Sequence, residues 1–440
     1  MRVVPSPRPG EPLHVVVAGA GVAGLETLVA LRAMTGERVA ATLVSPDEAF
    51  AVRALEVYEP FGLGRSRRYP LAELTTDLGV AWRRDRVAQV DRAARRVRLE
   101  SGDEVPYDVL AVAVGAIPYP AFDHGVVFDR VRSPEPFDRL LADVQAGRAA
   151  SVAVVVPAGT TWALPAYEVA LMLRAFGGAG RAAAPRVTVV TVEREPLAAF
   201  GPPAGEMIRA ELAQSGVDLV CDIAGVVSSD RMVALGAGRE LRAARIVHVP
   251  LLAGPRLAGL PYDPAGFILV DEDLTVDGDD CVFAIGDGTA SPFKQGGLAA
   301  QQADAVAERI AVRVGASERP LRPYAPTLRG LLRTEHGPRY LRAEPPGGDG
   351  ECLVSDQCLW WPPSKVASRW LTPWLAARDA DARLAPPRVL PSGGISRGSI
   401  AAPAKIDGAS EGAGDVRRVP AARLPGSPAR AMPDGRLSAS

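Results

Sequence analysis

An α/β fold with two parallel-sheet halves is what the sequence predicts, on three observations. Short β-branched runs alternate with stretches of helical spacing, the pattern of strands joined by crossover helices. Two units of strand, glycine loop and helix stand about 140 residues apart, which suits two related halves better than a repeat array. The chain runs to 440 residues, more than one ordinary core holds and enough for two or three domains. The strand signals, in order, are HVVVAGAGVAG at 14–24, ATLVSPD at 41–47, YDVLAVAVGA at 107–116, SVAVVV at 151–156, RVTVVTVE at 186–193, RIVHVP at 245–250 and DDCVFAIGD at 279–287. ETLVALRAM after the first and AYEVALMLRAF after the fourth carry helical spacing.

Composition narrows the class. With 48% hydrophobic and 23% charged residues the chain can fill a globular interior, and 50 basic against 51 acidic residues leave no field to hold a nucleic acid. Cys221, Cys281, Cys352 and Cys358 form no C-x-x-C, and no secretory pattern follows Met1, so a cytoplasmic location is expected. No apolar run of about 18 residues predicts a membrane-spanning helix. Only Lys294, Lys365 and Lys405 are lysines, which draws attention to each of them. Residues 1–11 hold three prolines and read as a flexible leader. Residues 385–440, with eight Gly, eight Pro and no aromatic side chain, read as a disordered tail.

At residues 14–26 an apolar strand runs into Gly19-Ala20-Gly21-Val22-Ala23-Gly24 and straight into a helix. Gly19 permits the tight turn, Gly21 lets backbone approach a pyrophosphate, Gly24 lets the helix pack on the strand, and the helix N-terminus faces the phosphates. A structural turn is the plainer reading of such a triplet; the strand before, the helix after and a second strand about twenty residues on favour dinucleotide binding. That second strand ends in Ser45, with Asp47 two residues late, so a hydroxyl stands where a ribose-binding acid is expected. A later strand closes on a small-residue turn at Ala113-Val114-Gly115, and another ends in Gly286-Asp287.

Together and in this order, G-x-G-x-x-G, Y-D-x-L-x-x-A-x-G near residue 110 and V-F-A-I-G-D near residue 285 resemble the marks of FAD-dependent pyridine nucleotide–disulfide oxidoreductase-like flavoproteins, over residues 14 to about 315. The resemblance implies that the first motif binds FAD, that Asp287 holds its ribityl chain and that Arg53 reaches its phosphates, with Val87, Ala113 and Gly115 also at the cofactor. It departs where the usual Thr of A-T-G is Val114. Pro292-Phe293-Lys294-Gln295-Gly296-Gly297-Leu298, leading into AAQQADAVAERIAV, is similar to the sulfide:quinone reductase and type II NADH dehydrogenase branch, in which a Lys-containing, Gly-terminated loop covers the flavin. Lys294, Gln295 and Gly296 are therefore candidates, with Lys294 the one placed near the flavin and a solvated loop lysine the plainer alternative. The amides of the following helix N-terminus would steady negative charge there.

After SVAVVV a nicotinamide-binding half would present another G-x-G-x-x-G. The chain instead has Pro157-Ala158-Gly159-Thr160-Thr161-Trp162-Ala163-Leu164-Pro165-Ala166-Tyr167-Glu168, with one loop glycine and Trp162 where close approach is wanted. Gly159 and Thr160 are the candidate NAD(P) contacts, with Glu193, which closes VTVVTVE where an acid selects the ribose 2′-OH; an exposed strand-end carboxylate is the alternative. Sulfide:quinone reductases carry a similar Gly-Ala-Ser-Cys-Phe-Gly-Pro-Ala-Tyr-Glu stretch, and their redox cysteine falls on Trp162, which disfavours a persulfide relay. Cys352 and Cys358 are expected to be ordinary thiols, and His14, His124, His248 and His336 show no metal-ligand spacing.

Four of the six tryptophans fall in LWWPPSKVASRWLTPWL at 359–375. Pro362 and Pro363 are expected to start a helix with Trp370 and Trp374 on one face; packing in a C-terminal subdomain is weighed against a lid over the flavin or contact with a membrane surface where a quinone enters. The predicted organisation is two Rossmann-like domains: an FAD domain in two pieces, 12–120 and 254–325, with an NAD(P)-like domain inserted at 121–253, then a small C-terminal subdomain at 326–384. The expected function is an FAD-dependent oxidoreductase passing electrons from a reductant, NAD(P)H, to a small acceptor such as a quinone. A sulfide:quinone reductase, or a flavin-binding redox sensor or partner-binding module without turnover, is the alternative.

Overall fold

The computed structural model describes residues 11–178, 184–347 and 350–380, so the expected tail and all but the last residue of the leader lie outside the described residues. The glycine-rich unit forms strand β1 (Leu13–Ala18) and helix α1 (Val22–Thr35), followed by β2 (Val39–Val44), β3 (Ala81–Arg83) and β4 (Val109–Val112). The second half is built from β5 (Val126–Val127), α2 (Glu135–Gln145), β6 (Ser151–Val156), α3 (Leu164–Gly178), β7 (Arg186–Thr191), α4 (Pro202–Gln214), β8 (Val217–Val220) and β9 (Arg245–His248). The chain then returns through β10 (Thr275–Val276), β11 (Asp279–Ala284) and α5 (Gly296–Arg313), and ends in β12 (Leu328–Thr334), β13 (Gly337–Glu344), β14 (Glu351–Ser355) and α6 (Leu371–Ala380).

The first sheet runs β10-β11-β4-β1-β2-β3, parallel except for the antiparallel edge pair β10–β11. Its strands come from both sides of the second half, whose own sheet, β5-β9-β6-β7-β8, is parallel throughout. Burial on both faces explains why these strands read as unbroken apolar runs. In β1, Leu13, Val15 and Val17 pack with α1 and α5, while Val16 and Ala18 pack with Val87, Val97 and Leu99 of a small antiparallel sheet over residues 87–106. In β6, Val152, Val154 and Val156 face the core around α2 and α3, and Ala153 and Val155 face Val227 and Val233. The Tyr-Asp pair ahead of β4 fixes its register: the His14 amide donates to Asp108 Oδ2 at 2.8 Å and the Asp108 amide to the His14 carbonyl at 2.9 Å.

The C-terminal part touches both halves. Leu328, Leu332, Leu341 and Cys352 of the antiparallel sheet β12-β13-β14 join the core of the second half, whereas Trp370, Leu371, Trp374 and Leu375 join that of the first, against Leu25 and Leu28 of α1. Pro362 and Pro363 do not start a helix. The chain stays irregular to Trp370, and α6 begins where a buried carboxylate, Glu26, accepts the amides of Arg369 (2.9 Å), Trp370 (2.8 Å) and Leu371 (2.5 Å). Trp370 and Trp374 do share a face, and it is a core face; Trp360 lies edge-on against Tyr340, and of the four tryptophans only Trp361 is exposed, at 86%.

Candidate functional site

Three strand-end turns meet at the C-terminal edge of the first sheet. Gly19 follows β1 at φ +108°, and a Cβ there would lie 2.3 Å from the Ala113 carbonyl at the end of β4. A Cβ on Gly24 would lie 1.9 Å from the Gly19 carbonyl, so helix and turn touch backbone to backbone. Gly21 differs: a Cβ there meets nothing within 4 Å. Protein packing does not require that glycine, and the space it leaves lies at the N-terminus of α1, which has no side-chain cap and no acid in its first turn. Unpaired amides and the positive end of the helix make this a place for an anion. Ala20 and Ala23 are buried, Ala23 against Gly286, and Gly115 at φ +71° packs on Gly288, so the turns after β4 and β11 close on the first.

Asp287 and Lys294 stand in this junction. Asp287 is half-buried; burial pushes its carboxyl above the ordinary aspartate range, opposed by the charges of Lys294 and Arg53 and by the Gln295 amide. Lys294 is buried at 4% exposure, donates to the Thr289 carbonyl, and places its ammonium 3.9 Å from the centre of the Phe267 ring. Burial lowers its pKa to about 8, against the pull of Asp287 and Asp263. It is no solvated loop lysine. The Gln295 side chain is spent on the fold: Oε1 accepts the Leu298 amide at 2.9 Å and Nε2 donates to the Arg329 carbonyl at 2.9 Å. Gly296 lies against Val366 and Val22. The N-terminus of α5, expected to offer its amides to the cofactor, is thus in part capped by Gln295 and covered by the C-terminal segment.

Ser45 is buried at the end of β2, where its hydroxyl pairs with Asp47 Oδ2 at 3.3 Å, so the late acid is tied to the expected position. Arg53 is exposed in a short 3-10 turn and acts on Asp287. Val87 has its side chain buried in the core beneath the sheet, which leaves its backbone as the part that could meet a ligand.

The second half lacks the matching cradle. Its loop from β6 to α3 spans residues 157–163, Thr160 Oγ1 turns back to the Pro157 carbonyl at 2.8 Å, and Gly159 sits at φ +89° near Leu251. Trp162 packs against Phe200 with ring centres 5.7 Å apart. The Glu193 carboxylate is half-buried and already engaged: Tyr167 donates to its Oε2 at 2.6 Å, and the Leu197 and Ala198 amides approach it. A tyrosine one turn into α3 competes for the acid, which lies two residues past the end of β7. Cys352 is buried, its thiol pushed up to about 11 by burial, and Cys358 is exposed; they form no disulfide.

Two constellations escaped the sequence. Glu168, fully buried, accepts Tyr58 Oη at 2.8 Å on one oxygen and pairs with Lys365 on the other, with the Lys365 ammonium 4.6 Å from the Tyr58 ring centre. Lysine scarcity pointed at Lys365 but not at its partners. Glu26 faces Asp304 of α5, a contact no local pattern announces.

Two mainly parallel sheets, the first ending in an uncapped helix and a junction of half-buried Asp287 with buried Lys294, define a two-domain α/β protein of the Rossmann-like class. The chain belongs to the pyridine nucleotide-disulphide oxidoreductase family, whose model matches residues 13–307. No curated protein sequence matches it. Among solved structures, the sulfide:quinone oxidoreductase of the hyperthermophilic bacterium Aquifex aeolicus superposes with a TM-score of 0.67 at 20% identity, over 78% of this chain and 86% of that one. An NAD-dependent persulfide reductase from A. fulgidus gives 0.57 at 21% identity over 75% and 64% of the two chains. A ferredoxin reductase from Rhodopseudomonas palustris gives 0.57 at 21% over 75% and 82%. At these identities the likeness is one of fold.

Proposed function

We propose that this protein is an FAD-dependent oxidoreductase that takes electrons from a reductant, NAD(P)H, and passes them to a small acceptor such as a quinone. The observation that carries the flavin reading is Gly21: a glycine that packing does not need, at an uncapped helix N-terminus, beside the Asp287–Lys294 junction. The residues fit the cofactor. Gly19 to Gly24 would hold the pyrophosphate, Ser45 with Asp47 the adenosine ribose, and Asp287 the ribityl hydroxyls, with Arg53, Gly115, Gly286 and the 294–296 loop around them. Bound FAD supplies the two-electron redox chemistry. The chain's part is to orient, to exclude water and to place the Lys294 cation beside Asp287.

Family membership and the second parallel half support NAD(P)H as donor. Trp162 in place of a thiol speaks against sulfide. One observation favours a second reading, a flavin protein without nicotinamide-dependent turnover: the Glu193 carboxylate is already engaged by Tyr167. Contact with a membrane surface rests on Trp361, and among the described residues no helix is long and apolar enough to cross a membrane. Anaerobic mixing of the yellow protein with NADH, NADPH and sulfide separates these readings. Bleaching by a nicotinamide supports the first, bleaching by sulfide alone overturns it, and no bleaching leaves the second. Asp287→Ala is expected to purify without flavin; full yellow colour in that variant would sink the cofactor assignment.

A further inference from the structure

The segment from Ser364 to Leu371 is held at both ends by buried carboxylates on other parts of the chain. Lys365 pairs with Glu168 of α3, and the amides of Arg369, Trp370 and Leu371 converge on Glu26 of α1. Between these anchors Val366 lies on Gly296, with Val22 close by, over the seam where the N-termini of α1 and α5 meet. Glu26 is fully buried and faces Asp304 of α5. Asp304 Oδ1 is buried with no hydrogen-bond partner among the described residues. Two ionised carboxylates side by side in such a place would repel each other, and an oxygen that finds no donor is accounted for if the aspartate itself carries a proton and donates it to Glu26. The other charges at the pair do not replace that proton: Arg369, from the segment, pairs with Glu308 of α5 at 2.9 Å, Glu308 adds like charge, and Arg329 of β12 bonds through its carbonyl to Gln295.

We propose that residues 364–371 form a pH-gated strap over the α1–α5 seam, latched by one proton shared between Glu26 and Asp304. With the proton in place, Glu26 is an anion capping α6 and Asp304 is its donor, and the strap is closed. Loss of that proton to solvent sets a second negative charge, on half-buried Asp304, beside the fully buried Glu26, so the C-terminal anchor loosens and Val366 lifts from Gly296. Burial first and the Glu26 charge second push Asp304 well above the ordinary aspartate range, and Glu26 is raised as well. The sign follows: the folded state keeps a proton that the unfolded chain gives up at the ordinary value, so the latch is fully present at acid pH and is lost as pH rises through the raised value.

The strap carries its own reporters. In the full chain labelled with 5-fluorotryptophan, the ¹⁹F resonances of Trp370 and Trp374, assigned through Trp→Phe variants, are expected to shift as pH is raised from the ordinary aspartate range upward to the alkaline limit of folding. In Asp304→Asn, whose amide donates permanently to Glu26, they should keep their low-pH positions throughout. In Glu26→Gln the like charge is gone, so the transition should move to lower pH. Wild-type resonances that do not move over this range, or an Asp304→Asn variant that titrates as wild type does, would overturn the proposal; if that variant does not fold, an unmoved transition in Glu26→Gln would do the same. The readout needs no flavin, so its failure is separate from failure of the cofactor assignment.

Discussion

Lys294 occupies a site where a cation is costly. Its ammonium is buried against Phe267, and the attraction of Asp287 and Asp263 does not cancel the lost hydration, so the fold holds its pKa near 8, below the ordinary lysine value of 10.5. Between about pH 8 and about 10.5 the unfolded chain therefore binds more proton at this position than the folded one, and stability gains with rising pH. Comparing the flavin-free wild type with Lys294→Met, the difference in melting temperature should move in favour of wild type across that window. A constant difference would mean that Lys294 is not buried as described. The same basicity near neutrality suits a group that meets a changing charge.

At the scale of elements, the β1–α1 unit separates what the fold needs from what a ligand needs. Gly24→Ala sets a Cβ against the Gly19 carbonyl and is expected to cost about 1–3 kcal/mol, read as a lower denaturant midpoint. Gly21→Ala meets only open space, so the flavin-free protein should keep its wild-type midpoint while flavin content falls sharply. Equal effects of the two substitutions would remove the basis for placing a pyrophosphate there. This unit was legible in the sequence because its causes are local: an apolar run with both faces buried, then glycines whose neighbours lie a few residues away or at the end of β4. The start of α6 was not, since the carboxylate that receives the Leu371 amide is Glu26, 345 positions back in the chain. Glu193 lies two residues past the end of its strand, not at its close, and the Tyr167 hydroxyl that occupies it comes from the neighbouring helix, where periodicity shows only an apolar face.

Across the whole molecule, three separate parts of the chain converge on one carboxylate. Tyr58 comes from the stretch between β2 and β3, Glu168 from α3 of the second half, and Lys365 from the C-terminal strap; Val57, Tyr58 and Phe61 already pack in the second half's core. A buried ion pair gains little over an apolar pair of the same shape, because both ions give up hydration, but removing one partner leaves the other stranded. Burial accordingly lowers the pKa of Lys365, with Glu168 holding its charge against that loss, and burial with the Glu168 charge raises that of Tyr58 and keeps it a donor. Lys365→Met should then cost ~3–5 kcal/mol in urea unfolding, since Glu168 keeps only Tyr58 Oη and the more distant Arg333 amide as donors. Adding Glu168→Gln removes the stranded charge and keeps an acceptor for Tyr58, so the double variant should recover most of that loss. A double variant no more stable than Lys365→Met would show that the three parts are joined by packing around the pair and not by the charge they share.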